Sequence, residues 1–118
     1  MGEIQNYNEK TIKKLVKEFP LTPIFTRVVI TLNREVNEGE VILNENPLAE
    51  VQYVVAAGDR AAVKAGDKVL LDLTKMTVKI PSPTDQNQMV ETIKVDPLKT
   101  DQGVFAFIYD NQIKAIYS

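Results

Sequence analysis

The spacing of apolar residues changes near residue 20 and divides the chain into two parts. The first part carries apolar side chains at offsets of three and four, namely Ile12, Leu15, Val16 and Phe19. This spacing predicts an amphipathic helix over 9–19, because residues so spaced share one helical face. Asn8 has the side chain of a good N-cap and Pro20 cannot continue a helix, so we expect these two residues to bound it.

Runs rich in β-branched and aromatic residues replace the helical spacing from Phe25 onward. Their composition predicts strands at 25–32, 51–56, 68–73, 76–80, 104–109 and 112–117, with a weaker strand at 89–95. Gly-Asp pairs mark turns within 51–72, and two prolines predict a loop at 81–88. Asp96 and Pro97 are predicted to end a strand. Short strands with turn signals and one helix predict an all-β fold, as a small barrel or sandwich.

The chain has 118 residues, which is the size of one domain. With 14 basic and 16 acidic residues, its composition gives no indication of a basic surface for nucleic acid. No apolar run approaches the length of about 20 residues that a membrane-spanning helix needs. The sequence therefore predicts a cytoplasmic protein that binds neither nucleic acid nor membrane.

Cys and His are both absent from the sequence. Their absence removes thiolate and imidazole metal ligands, together with the usual general base near neutral pH. We therefore predict no catalytic, cofactor-binding or metal-binding residues, and a protein that is not an enzyme.

Four segments occur in the order and spacing of one protein family. They are Arg27-Val28-Val29-Ile30, Val54 to Gly58, Val63 to Leu71 with its Val-Lys-Ala-Gly-Asp-Lys-Val phrase, and an ending made of Val104 to Ile108, Asp110 and Ile113-Lys114-Ala115-Ile116. Together they resemble the GroES-like co-chaperonins over residues 24–118, although Thr26 stands where that family usually has Asp. The resemblance implies a small GroES-like β-barrel at 23–118, preceded by a short helical arm at 1–22.

The resemblance also implies a function. The link between Gly58 and Val63 is short, so the longer roof hairpin of the bacterial co-chaperonin is missing, as it is in phage-encoded members. The expected protein is a phage-type co-chaperonin, a heptameric ring in the host cytoplasm that caps a GroEL-type chaperonin and assists ATP-dependent folding of client protein. The alternative is a non-catalytic structural or virion assembly protein that uses the same barrel, with the arm and the long segment 81–102 for contacts.

Two groups of candidate functional residues follow from this resemblance. Val41, Ile42 and Leu43 stand where the family's mobile loop carries the apolar tripeptide that docks on the chaperonin. Their polar and acidic neighbours suit such an anchor, but an ordinary hairpin turning at 37–39, with the triplet in the core, fits the same pattern. The family's architecture further implies that the first and last strands pair between subunits, through Arg27, Val28, Val29, Ile30, Ile113, Ala115, Ile116 and Tyr117.

Overall fold

An α-helix, α1, spans Glu9–Glu18 and is the first regular element of the computed structural model, which describes residues 6–35, 47–85 and 87–117. The Asn8 side chain accepts hydrogen bonds from the backbone N–H groups of Lys10 and Thr11, each at 3.0 Å. In return, the Thr11 hydroxyl accepts from the Asn8 N–H at 2.8 Å, which completes a capping box. The predicted helix and its cap are therefore confirmed.

Replacing Asn8 with Ala is expected to lower the free energy of unfolding by about 1 kcal/mol, because two helix N–H groups lose their acceptor. Urea denaturation followed by circular dichroism measures the change. Asn8→Asp is the matched control, since it keeps an acceptor oxygen and adds negative charge at the helix start. Equal losses in the two variants would contradict the assigned role of the cap.

The described residues form eight strands, which we number in chain order. They are β1 (Arg27–Ile30), β2 (Val51–Ala57), β3 (Lys68–Leu71), β4 (Thr77–Pro81), β5 (Met89–Ile93), β6 (Asp96–Thr100), β7 (Gly103–Tyr109) and β8 (Ile113–Ile116). Short 3-10 turns at Leu73–Met76 and Asp110–Gln112 precede β4 and β8.

Six of these strands form one antiparallel sheet in the order β6-β7-β1-β2-β3-β8, and β4 pairs with β5 in a separate two-stranded sheet. The fold is thus rich in β-structure with one short helix, as the sequence predicts. In the part of the chain that the structure describes, β6 and β8 do not pair with each other, so the six-stranded sheet is open.

The predicted strand at 89–95 does end before Asp96, since β5 ends at Ile93, but Asp96 and Pro97 start a further strand that the sequence analysis did not predict. Both residues belong to β6, where Asp96 pairs with Phe107 and Pro97 pairs with Ala106 of β7. Within the described residues, β6 is an end strand with a partner on one side only. Proline is tolerated in such a strand, because an N–H that is missing on the outer side of an end strand removes no hydrogen bond between strands.

The middle strands are buried on both faces of the sheet. Successive side chains of a strand point to opposite faces, so Val28 and Ile30 of β1 join one apolar cluster and Val29 joins the other. The first cluster is completed by Val63 and Met76, which come from the connections around β3.

Helix α1 covers the second face of the sheet. Its buried residues, Ile12 and Leu15, contact the cluster that contains Val29 and Phe105. The arm that the sequence predicts therefore packs on the core of its own chain. None of the helices in the described ranges has the length and apolar character to cross a membrane.

Candidate functional site

The predicted chaperonin anchor Val41, Ile42 and Leu43 lies outside the described residues, but the chain on both sides of it is described. The Glu35 N–H donates to the Pro47 carbonyl at 2.7 Å, and the Ala49 N–H donates to the Asn33 carbonyl at 2.9 Å. The two stems, 33–35 and 47–49, thus run side by side. The two ends of the chain that flank 36–46 accordingly lie next to each other.

A buried glutamine holds the two stems to the sheet. Gln52 of β2 is fully buried, and its side-chain oxygen accepts from the Thr31 hydroxyl at 2.8 Å and from the Asn33 N–H at 2.7 Å. Its amide nitrogen donates to the carbonyls of Asn33 and Ala49, at 2.9 and 2.8 Å. Every hydrogen-bonding position of this amide is filled, which is how a buried polar side chain avoids its desolvation cost.

The N-terminal arm supports the same stem from outside. The Asn6 side chain donates to the Arg34 carbonyl at 2.9 Å and accepts from the Arg34 N–H at 2.8 Å, so it pairs with that residue as a strand would. The Asn33 side chain pairs in the same way with the backbone of Tyr7, at 2.8 and 2.9 Å. The arm therefore fixes the base of the segment that carries the predicted anchor.

Sequence reasoning missed this support. Asn6 and Asn33 look like ordinary turn or surface residues, and nothing in the local pattern brings them together. Gln52 did carry a signal, because it is a polar residue inside an apolar run of β-branched character. Such a residue in a buried strand needs partners, which the stems supply.

The structure places the predicted interface strand β1 in the middle of the sheet. Val28 and Val29 pair with β2 on one side and with β7 on the other, and both residues are fully buried. A strand with a partner on each side has no free backbone edge. In this arrangement Arg27, Val28, Val29 and Ile30 cannot pair edge to edge with a second subunit.

The Arg27 side chain instead ties β1 to its neighbours within the chain. Its guanidinium lies 5.3 Å from the ring centre of Phe107 and 4.8 Å from that of Tyr109. It also pairs with Asp96 at 3.2 Å, where the two side chains are 35% and 65% exposed. An ion pair so exposed contributes little, and contact with the two rings is the stronger part of this arrangement.

Strand β8, the other predicted interface strand, lies at an end of the sheet and has one edge without a partner among the described strands. The Tyr117 N–H donates to the Lys68 carbonyl at 2.8 Å. Because hydrogen bonds alternate along an antiparallel ladder, the backbone groups of Ile116 point away from β3. Ile113 packs against the core, whereas Ala115, Ile116 and Tyr117 are exposed. The outer edge of this strand is therefore unpaired in the part of the chain that the structure describes.

The start of β8 is fixed by the turn that follows β3. The Asp72 N–H donates to the Gln112 carbonyl at 2.9 Å. The Thr74 hydroxyl, which donates to the Asp72 carboxylate, lowers the pKa of Asp72 below its ordinary value, and nearby Lys114 and Lys75 act in the same direction. The exposed edge strand thus extends from an anchored corner.

A second exposed apolar surface, absent from the sequence predictions, precedes β1. Ile24 and Phe25 are both exposed, and Phe25 has a positive φ of 58°. The Phe25 carbonyl accepts from the Arg60 N–H at 3.1 Å. A Cβ on Gly58 would lie 2.1 Å from that carbonyl oxygen, so only glycine permits this close approach.

No family model matches the chain, and no curated protein matches it either. Within the described ranges, no three acidic side chains come together in a group that could hold a metal ion.

Proposed function

We propose that this chain is a phage-type, GroES-like co-chaperonin: a ring-forming lid that caps a GroEL-type chaperonin and assists ATP-dependent folding of client protein. The four segments that carry the resemblance support this proposal by their positions. They contain β1, β3, β8 and parts of β2 and β7, and these strands are consecutive neighbours in the sheet order β7-β1-β2-β3-β8. Segments dispersed along the sequence thus form one continuous part of the fold.

The closure of the stems around 36–46 is the observation that carries the proposal. The Glu35–Pro47 hydrogen bond and the filled Gln52 amide give this segment a rigid base. The segment carries Val41, Ile42 and Leu43 among polar neighbours. This combination favours docking, since flanks that are already held by hydrogen bonds reduce the conformational entropy lost when the anchor binds.

Binding through such an anchor is weak for one chain and strong for a ring. Burial of one branched side chain contributes about 1.5–3 kcal/mol before ordering costs are subtracted. Several copies acting together raise the apparent affinity by a large factor, because each later contact is intramolecular. The free edge of β8 supports ring formation, since an unpaired, partly apolar edge is stabilised by a strand from a neighbouring copy.

Replacing Val41, Ile42 and Leu43 together with Ser is expected to weaken ATP-dependent binding to a GroEL-type chaperonin by at least about a hundredfold, because the apolar anchor is lost. Binding is measured by pull-down and by biolayer interferometry, with and without ATP. The double variant Ile24→Ser, Val104→Ser is the control, since it removes exposed apolar side chains elsewhere. A folded wild-type protein that does not bind the chaperonin in ATP would refute the proposal.

A structural or virion assembly protein is the second candidate. The exposed hairpin β4–β5 favours it, because an unpartnered apolar ribbon is a typical contact surface of assemblies. The arm does not, since it packs on its own core through Ile12 and Leu15. Chaperonin binding separates the two candidates directly.

A further inference from the structure

The hairpin formed by β4 and β5 is a separate sheet that contacts the core through Ile93. These two strands pair only with each other among the described elements, so each has one free edge. Three apolar side chains of the hairpin are exposed: Ile80 at 41%, Met89 at 57% and Val90 at 39%. An isolated two-stranded hairpin is marginally stable in water, so this ribbon gains from any partner that covers its edges.

The hydrogen bonds of the hairpin show which backbone groups face outward. At the two ends of the hairpin, the Ser82 N–H donates to the Gln88 carbonyl and the Lys94 N–H donates to the Met76 carbonyl, each at 2.8 Å. Bonds alternate along an antiparallel pair, and Lys79 faces Glu91 at a position between bonded pairs. The backbone groups of Lys79 therefore point out from β4, and those of Glu91 point out from β5.

Pro81 fits this assignment. It faces Met89 in the same register, at another outward position, so its missing N–H costs no bond within the hairpin. The β5 edge carries no proline, so each of its outward positions has a backbone N–H that can donate to a partner strand.

We propose that the free edge of β4 pairs with the free edge of β5 from a neighbouring copy of this chain, in the register that the hairpin itself uses. Lys79 would then face Glu91 of the neighbouring copy, and opposite charges at directly facing positions stabilise a strand pair. Pairing two β5 strands gives Glu91 no cation to face, and pairing two β4 strands gives Lys79 no anion. The two edges thus complement each other and not themselves.

The apolar face of the hairpin leads to the same partner. Ile80 faces Val90 inside the hairpin and lies on the face opposite Lys79. Repeating the register between copies places these side chains in a continuous apolar row. Because the contact joins two different edges, it is head-to-tail. Such a contact gives a ring where the rotation between copies closes and an open filament where it does not, and the proposed function requires the ring. In this respect the inference rests on the proposed ring-forming function and names a contact within it.

Single cysteines test the contact, because the natural chain has no Cys. Lys79→Cys and Glu91→Cys are made in separate chains, mixed in equal amounts and oxidised. Directly facing residues of a bonded strand pair lie about 5.5 Å apart at Cα, which is within the range of a disulfide. We expect cross-linked dimers in the mixture, at least about tenfold above either variant alone. Efficient cross-linking of the Glu91→Cys variant by itself would overturn the proposal. The absence of cross-linked dimers from all samples, the mixture included, would overturn it as well.

Charge reversal tests the same contact without a covalent bond. Lys79→Glu and Glu91→Lys each place like charges within the hairpin and between copies, and each is expected to weaken self-association by roughly tenfold. A mixture of the two restores opposite charges between alternating copies but not within any hairpin. Recovery of self-association in the mixture, measured by native mass spectrometry, supports the contact between copies. No recovery would assign the effect to the hairpin alone and overturn the proposal.

Hairpin cross-linking and chaperonin binding are separate measurements, so each can fail without the other. Chaperonin binding by a wild-type protein whose hairpins do not cross-link would remove this inference and leave the lid. Cross-linked hairpins in a protein that does not bind a chaperonin would remove the lid and leave the contact.

Discussion

Replacing Gln52 with Leu is expected to lower the free energy of unfolding by about 3–5 kcal/mol, since each buried polar group left without a partner costs about 1–3 kcal/mol. The substitution removes the acceptor of the Asn33 N–H and the side-chain donor to the Ala49 carbonyl. The Asn33 carbonyl loses one of its two donors and keeps the Ala49 N–H. The Thr31 hydroxyl loses its acceptor as well. Leu fills a similar volume, so the loss reports mainly on the hydrogen bonds.

Urea denaturation at an unchanged m-value measures this loss. Thr31→Val is the companion variant, because its hydroxyl donates to Gln52 and accepts from the Tyr53 N–H at 3.0 Å. In a double-mutant cycle the two losses should not add, since the variants share one bond. Native-state hydrogen exchange should show faster exchange at the Asn33 amide in the Leu variant. A loss below about 1 kcal/mol would mean that water replaces the Gln52 bonds at little cost.

Replacing Phe105 with Ala is expected to cost about 3–5 kcal/mol, the range for a fully buried aromatic side chain. Phe105 is fully buried on the face that α1 covers. Its ring meets the Phe19 ring edge-on at 5.4 Å and the Tyr7 ring at 5.8 Å. The cavity therefore opens where the N-terminal arm joins the sheet, and the arm should loosen along with the loss of stability.

Urea denaturation gives the size of this effect, and hydrogen exchange in α1 gives its location. Phe107→Ala is the matched control, because Phe107 lies two positions further along β7, on the same face, and is only half-buried. It should cost clearly less. Phe105→Leu keeps most of the volume and should fold even where the Ala variant does not. Equal costs at positions 105 and 107 would show that α1 does not seal this part of the core.

The local elements were predictable from the sequence because their causes are local. The helix follows from the spacing of Ile12, Leu15 and Phe19 and from the Asn8 side chain, all within a few residues of one another. β2 and β7 were predicted from short, dense runs of apolar residues rich in β-branched and aromatic side chains, a composition that favours a largely buried strand. β6 was missed because a proline rule for inner strands was applied to an end strand.

The candidate site also has a part that the local sequence reveals and a part that depends on distant residues. The sequence picks out Val41, Ile42 and Leu43 as an isolated apolar triplet, since that pattern is contiguous. It does not reveal that Asn6, Asn33 and Gln52 support the stems of that segment, because the partners are far apart in the chain. An amide side chain has the same local appearance in a turn, on a surface and in a buried network.

By itself, the sequence determined the helix with its cap, most of the strands and the absence of thiol and imidazole chemistry. Only the tertiary structure decided that β1 is an inner strand and that β8 and the hairpin β4–β5 have edges without a partner among the described strands. It also decided that both the oxygen and the nitrogen of the Gln52 amide have hydrogen-bond partners. The physical reason is that strand propensity depends on residues close in sequence. Whether a strand has a free edge depends on which distant segments pair beside it.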